Sequence, residues 1–130
     1  DNRQQEITDQ IAYLTFWLKS LEIPKTTPVT LIGFSQGVAT AARWSAHGAE
    51  IDTLIFASGQ LPPEWATSPP NLSDRLKKIH VIRPTNDEYY TQDAFKADIN
   101  LLNPFGLDLN LHEPEGTHTL NAALLNKILN

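Results

Sequence analysis

Neither cysteine nor methionine occurs in the 130 residues. The first absence excludes disulfides, zinc–thiolate sites and a cysteine nucleophile. The second goes with an aspartate at position 1, so the chain is expected to begin elsewhere than translation began. Basic residues are few, ten lysines and arginines against fifteen acids for a formal charge of −5. Without a basic stripe to neutralise phosphates, neither nucleic acid nor an anionic membrane surface is expected as a partner. No apolar run approaches the ~20 residues of a membrane-spanning helix. Asp1-Asn2-Arg3-Gln4-Gln5-Glu6 lacks the apolar core of a signal peptide, which makes a cytoplasmic setting the expectation. What remains is ordinary for one globular domain, 41% hydrophobic and 19% charged, and excludes a disordered tail, a collagen repeat and a coiled-coil rod.

Ile7, Ile11, Leu14, Leu18 and Leu21 recur at steps of four and three, the spacing of one helix face, and Pro24 and Pro28 close that helix. Val29-Thr30-Leu31-Ile32 is short, β-branched and apolar, which predicts a strand buried on both faces of a parallel sheet. Residues 36–47 are alanine-rich and end at Gly48, predicting a helix with a glycine cap. Thr53-Leu54-Ile55-Phe56-Ala57 and Ile79-His80-Val81-Ile82 predict two more buried strands, and Phe95, Ile99 and Leu102 a short helical face. Leu107, Leu109 and Leu111 alternate with Asp108, Asn110 and His112, which predicts a fourth strand with one wet face. Leu120, Leu124 and Ile128 mark a last helix. Strands alternating with helices argue for a parallel α/β sheet of about four strands. Between Gly59 and Asn71, four of the nine prolines stiffen a connection that cannot pair as a strand. It reads as a surface crossover, or as a wall over a ligand site with Leu61 and Trp65 offering apolar surface.

Gly33-Phe34-Ser35-Gln36-Gly37 fits G-x-S-x-G, a match that chance alone gives in roughly 4% of chains this long. Read as plain structure, it is a serine N-cap between turn glycines. The buried strand before it and the alanine-rich helix after it favour a nucleophile elbow, in which the glycines let strand and helix approach and the helix N-terminus faces the reacting oxygen. A serine hydroxyl needs a base to take its proton. His47 ends the following helix, about 18 Å along it. His80 lies within a strand and reads as packed; His112 falls on the polar side of the last strand and reads as solvated. His118, in Gly116-Thr117-His118, leaves the C-terminal end of a strand, where open parallel sheets bind ligands. The base needs a carboxylate to fix its tautomer. Asp87 and Glu88 follow the third strand directly, whereas Asp74 and Asp93 lie off the rim and Asp108 at the wrong end. Asp87 is the better choice and Glu88 its competitor, with an Asn86-Asp87 turn pair as the purely structural alternative. The chain order Ser35, Asp87, His118 is that of the hydrolase fold.

Leu31-Ile32-Gly33-Phe34-Ser35-Gln36-Gly37 resembles the nucleophile segment of the phospholipase/carboxylesterase family of α/β-hydrolases, which includes the acyl-protein thioesterases. Ala57-Ser58-Gly59-Gln60-Leu61-Pro62 resembles its strand-end Ser-Gly-x-Leu-Pro, Thr85-Asn86-Asp87-Glu88 its acid loop, and Gly116-Thr117-His118 its Gly-x-His. The resemblance covers nearly the whole chain. It implies a partial α/β-hydrolase fold and hydrolysis of carboxylic esters or thioesters, with Ser35 as nucleophile, Asp87 as orienter, His118 as base, and no metal or cofactor. Val38 departs from it where a glycine often follows the elbow, and Arg83-Pro84 where a small residue and glycine are common. Members of the family also carry strands and an oxyanion loop ahead of the helix that opens this chain. A first strand apolar on both faces is out of place at an open edge. The chain is therefore expected to be the C-terminal part of a hydrolase domain, its front strands supplied by the same protein or by a partner along the first strand. The Gln36 N–H then gives one oxyanion donor, and the isolated chain is a poor enzyme. The alternative is a non-catalytic, hydrolase-like binding module.

Overall fold

The computed structural model describes residues 2–130. In chain order these form α1 (Asn2–Ser20), β1 (Thr30–Phe34), α2 (Gly37–Ala46), β2 (Thr53–Ala57), β3 (Lys78–Ile82), α3 (Gln92–Leu102), β4 (Asp108–His112) and α4 (Ala122–Leu129), with 3₁₀ turns at Pro63–Ala66 and Asn103–Phe105. The strands make one sheet in the order β1-β2-β3-β4, every pairing parallel. Phe34, Ala57, Ile82 and His112, the last residue of each strand, stand in register across it. The four segments that follow the strands therefore leave from one line.

Alternation along the strands decides what each face buries. Leu54, Phe56, Ile79 and Val81 point to the larger core, where Val38, Ala41 and Ala42 of α2 and Phe95 and Leu102 of α3 cover them. Ile11, Leu14 and Leu18 of α1 pack onto that core from outside, and Trp44 Nε1–H of α2 donates to Thr15 Oγ of α1 at 3.1 Å. On the other face Ile55, Ala57 and Ile82 are buried beneath Leu124, Leu125 and Ile128 of α4.

Three expectations need correction. The first strand begins at Thr30 and is an edge, paired only with β2, so Ile32 is 38% exposed instead of buried. In β4, an edge strand, Leu111 is exposed although its pattern assigns it to the core. His112, read as solvated, is half-buried with its Nε2 2.9 Å from His80 Nδ1. Burial lowers the pKa of both imidazoles, and the pair shares a hydrogen bond with one nitrogen as donor.

The N-terminal rim of the sheet is held by Asp52. Its carboxylate accepts from Val29 N–H at 2.6 Å and from Arg75 Nε at 2.9 Å, and Arg75 reaches on to the Thr27 carbonyl. The Arg75 hydrogen bond, with that of Val29 behind it, outweighs burial and holds the Asp52 carboxyl below its usual pKa. A carboxyl lowered on folding stabilises the fold above its unfolded pKa and loses that contribution as pH falls through the folded value. Asp52→Ala is expected to cost about 1–2 kcal/mol at pH 7, mostly from loss of the charge-assisted bond that the ionised carboxylate accepts from Val29 N–H, since the partly exposed ion pair adds little. Below about pH 4 the penalty should shrink. Urea midpoints of both proteins at pH 7 and pH 3 check this; a pH-independent difference counts against it.

Candidate active site

Ser35 stands directly after β1 in the left-handed region, φ 58°. A side chain held there costs of order 1–3 kcal/mol, and such residues concentrate at functional sites. The turn is fixed from both sides, because Ser35 N–H donates to Ala57 O at 2.9 Å and Ser35 O accepts from Val38 N–H at 3.1 Å. Gly33 is required by space: a Cβ on it would lie 2.5 Å from Gly37 O and 2.9 Å from Val38 Cα. Gly37 meets nothing within 4 Å, so only the first glycine of the motif serves the close approach expected of both. Val38 leaves the helix start regular. Gln36 is helical at φ −62° and ψ −24°, α2 begins at Gly37, and the valine is wholly buried.

The loops after β3 and β4 run side by side. Thr85 N–H donates to Pro114 O and Asn86 N–H to Gly116 O, at 2.9 and 2.8 Å. That pairing brings Asp87 and His118 together although 31 residues separate them. Asp87 also makes the turn weighed as its structural alternative: its N–H donates to Pro84 O, and its Oδ1 accepts from the N–H groups of Tyr89 and Tyr90 at 2.9 Å each. Arg83 does not disturb the loop but braces it, with Nε donating to Tyr90 O at 2.9 Å.

These elements converge. His118 Nε2 lies 3.0 Å from Ser35 Oγ, and His118 Nδ1 lies 2.8 Å from Asp87 Oδ2 and 3.0 Å from Oδ1. With the proton on Nδ1, the imidazole donates to the carboxylate and its free Nε2 accepts from the serine hydroxyl. The rings of Phe34 and Tyr89, 5.1 and 4.9 Å away, hold the imidazole between them. Burial by itself would raise the Asp87 pKa. Hydrogen bonds from Tyr90, His118 and Tyr89, with the Ser58 hydroxyl beside it, prevail and keep the carboxyl below its usual value. Glu88, the competing carboxylate, is exposed and takes no part in these bonds.

A cavity of about 850 Å³ opens over these residues, bounded by Ser35, Gln36, Leu61 and His118 and reaching Arg43 and the first turns of α1. Leu61 is among its lining residues, though only 5% exposed. Trp65 is not: the 3₁₀ turn folds it into the core at 4% exposure, edge-on to Phe105, so its place in an apolar wall is withdrawn. Neither Arg43, paired with Glu64 at 2.8 Å, nor Asp98 was apparent from the pattern of residues. Buried Asp98 accepts from Tyr90 Oη at 2.6 Å and from Leu61 N–H at 3.3 Å, tying the acid loop to the cavity wall. Burial raises its pKa. An aspartate three turns from any motif carries no local signal for such a role.

Solved structures share this architecture. Esterase PE8 superposes with a TM-score of 0.70 at 22% identity, over 91% of this chain and 54% of its own. The Bacillus cereus carboxylesterase gives 0.71 at 18% identity, over 94% and 56%. This is part of the α/β-hydrolase fold. The Zea mays acyl-protein thioesterase 2 adds a TM-score of 0.74 at 13% identity, over 95% of this chain and 62% of its own. The chain thus spans little more than half the length of these hydrolase-fold proteins. No protein-family model matches the sequence, and no curated protein matches it. No helix among the described residues is long and apolar enough to cross a membrane.

Proposed function

We propose that this chain carries the nucleophile, base and acid of a serine hydrolase acting on carboxylic esters or thioesters, as the C-terminal part of an α/β-hydrolase domain. One observation supports this above the rest: a single imidazole within 3.0 Å of the Ser35 hydroxyl on one side and 2.8 Å of a buried carboxylate on the other. Ser35 Oγ adds to the substrate carbonyl carbon while His118 Nε2 takes its proton. Asp87 stabilises the imidazolium, and the oxyanion faces the Gln36 N–H at the start of α2. Collapse expels an alkoxide or thiolate, which leaves with the proton from His118. Water then attacks the acyl-enzyme with His118 again as base, releasing the acid and restoring Ser35. Leu61 borders the space for the acyl or alcohol group. A second oxyanion donor and strands beyond the open edge of β1 would come from the same protein or from a partner.

A fluorophosphonate probe on the full-length protein tests the reading. Covalent labelling is expected on Ser35 and is absent in Ser35→Ala, with hydrolysis of p-nitrophenyl acetate falling by about 10⁴–10⁶. Labelling that persists in the variant, or that never occurs in the unaltered protein, favours a non-catalytic binding module with the hydrolase fold.

A further inference from the structure

The end of β2 concentrates two costs in one residue that the acid–base cycle leaves unused. Ser58 has φ 56°, a conformation that glycine adopts freely and other residues do not, although a glycine stands next in the chain. Its side chain is buried at 2% exposure, and its Oγ has no hydrogen-bond partner among the described residues. Buried hydroxyls are nearly always bonded, and strained residues persist where function holds them.

Its position says what the hydroxyl is for. Ser58 N–H donates to Ile82 O at 2.9 Å, and the Ala57 carbonyl just before it accepts from Ser35 N–H, so Ser58 sits between the elbow and the acid loop. Ser58 borders the same cavity as Ser35 and His118, and its hydroxyl is near enough to help hold the Asp87 carboxyl below its usual pKa. The two oxygens of that carboxylate are unequally served. Oδ1 takes the N–H groups of Tyr89 and Tyr90 as well as a share of His118 Nδ1, whereas among the described residues Oδ2 is hydrogen-bonded to His118 Nδ1 alone. A carboxylate oxygen accepts two hydrogen bonds, which leaves Oδ2 one short.

We propose that Ser58 is a positioning residue for the hydrolase chemistry assigned above, its hydroxyl donating to Asp87 Oδ2 and so fixing the carboxylate plane that His118 Nδ1 requires. Among the described residues no other hydrogen bond holds the Ser58 hydroxyl. The proposal rests on the hydrolase reading for its kinetic consequence, but not for its structural one.

Ser58→Gly removes the hydroxyl and also relaxes the backbone, so loss of folding is not the expected outcome; Ser58→Ala keeps the backbone demand and removes only the oxygen. Both are expected to lower kcat for p-nitrophenyl acetate about tenfold or more, the scale of one hydrogen bond to a charged group, with KM unchanged. The low-field proton resonance of His118 Nδ1–H should move upfield in both. Unaltered kcat and resonance would overturn the proposal, as would a rise in KM alone, which would make Ser58 a substrate contact. The resonance needs no turnover. A protein that hydrolyses no ester would defeat the hydrolase reading, while the resonance would still decide whether Ser58 holds Asp87.

Discussion

Asp87→Asn is expected to lower kcat for ester hydrolysis about 10⁴-fold while the protein melts within a few degrees of its usual temperature. The reason lies in the division of labour between the two carboxylate oxygens. Oδ1 serves the fold by accepting from Tyr89 and Tyr90 N–H groups. The asparagine amide oxygen takes that place without rearrangement, so the turn survives. Its NH₂ group then occupies the position of Oδ2, 2.8 Å from His118 Nδ1. An NH₂ donates and does not accept, and the amide oxygen 3.0 Å from Nδ1 is already taken by the Tyr89 and Tyr90 N–H groups, so the proton is expected to move from Nδ1 to Nε2. The nitrogen 3.0 Å from Ser35 Oγ becomes a donor, unable to take the serine proton. Asp87→Ala separates the two effects, because it strands both N–H groups and should destabilise the fold by about 1–3 kcal/mol for each of them. Steady-state rates and thermal melts of the three proteins are the measurements. An asparagine variant within tenfold of the unaltered rate would mean that His118 does not work through Asp87.

How far the residues alone reached is uneven, for physical reasons. Ser35, Asp87 and His118 were legible because each lies just past a predicted strand, and a parallel sheet gathers those ends on one rim whatever its strand order. The sheet itself followed from apolar runs of strand length alternating with helical faces. What stayed hidden depends on neighbours that the local pattern does not name. Trp65 sits in a proline-rich stretch with every mark of a surface loop, yet a single 3₁₀ turn carries it into the larger core. Leu111 shares its alternation with Leu109, yet only Leu109 packs against the larger core. Tyr89 and Tyr90 act on Asp87 through backbone N–H groups, which every residue but proline possesses. Ser58 looked like a strand stop, and nothing in its identity discloses a positive φ.

The glycine that matters most for stability is expected to lie outside the serine motif. Gly59→Ala should destabilise the protein by at least about 3 kcal/mol, and Gly37→Ala by less than about 0.5 kcal/mol. Gly59 has an ordinary φ, so the objection to alanine is one of space alone. Its Cβ would lie 2.0 Å from Ser35 O, 2.8 Å from Ser35 C and 2.8 Å from Val38 Cγ2. Two of those atoms belong to a backbone that cannot turn aside. The Ser35 carbonyl accepts from Val38 N–H, and Ser35 N–H is bonded to Ala57 O at the end of the strand that leads into Gly59. Moving the carbonyl therefore opens either the first turn of α2 or the end of the β1–β2 pairing, and the buried Val38 has no room to yield. Any folded fraction should also lose activity beyond its loss of stability, since a shift near 1 Å at Ser35 costs on the order of 10²-fold in rate. At Gly37 a Cβ enters open space at the first residue of a helix, where alanine is the better helix former. Urea unfolding of the two variants decides between the roles: a Gly59→Ala protein as stable as the original, or a Gly37→Ala protein less stable than Gly59→Ala, would show that β2 does not press against the serine turn as closely as 2.0 Å implies.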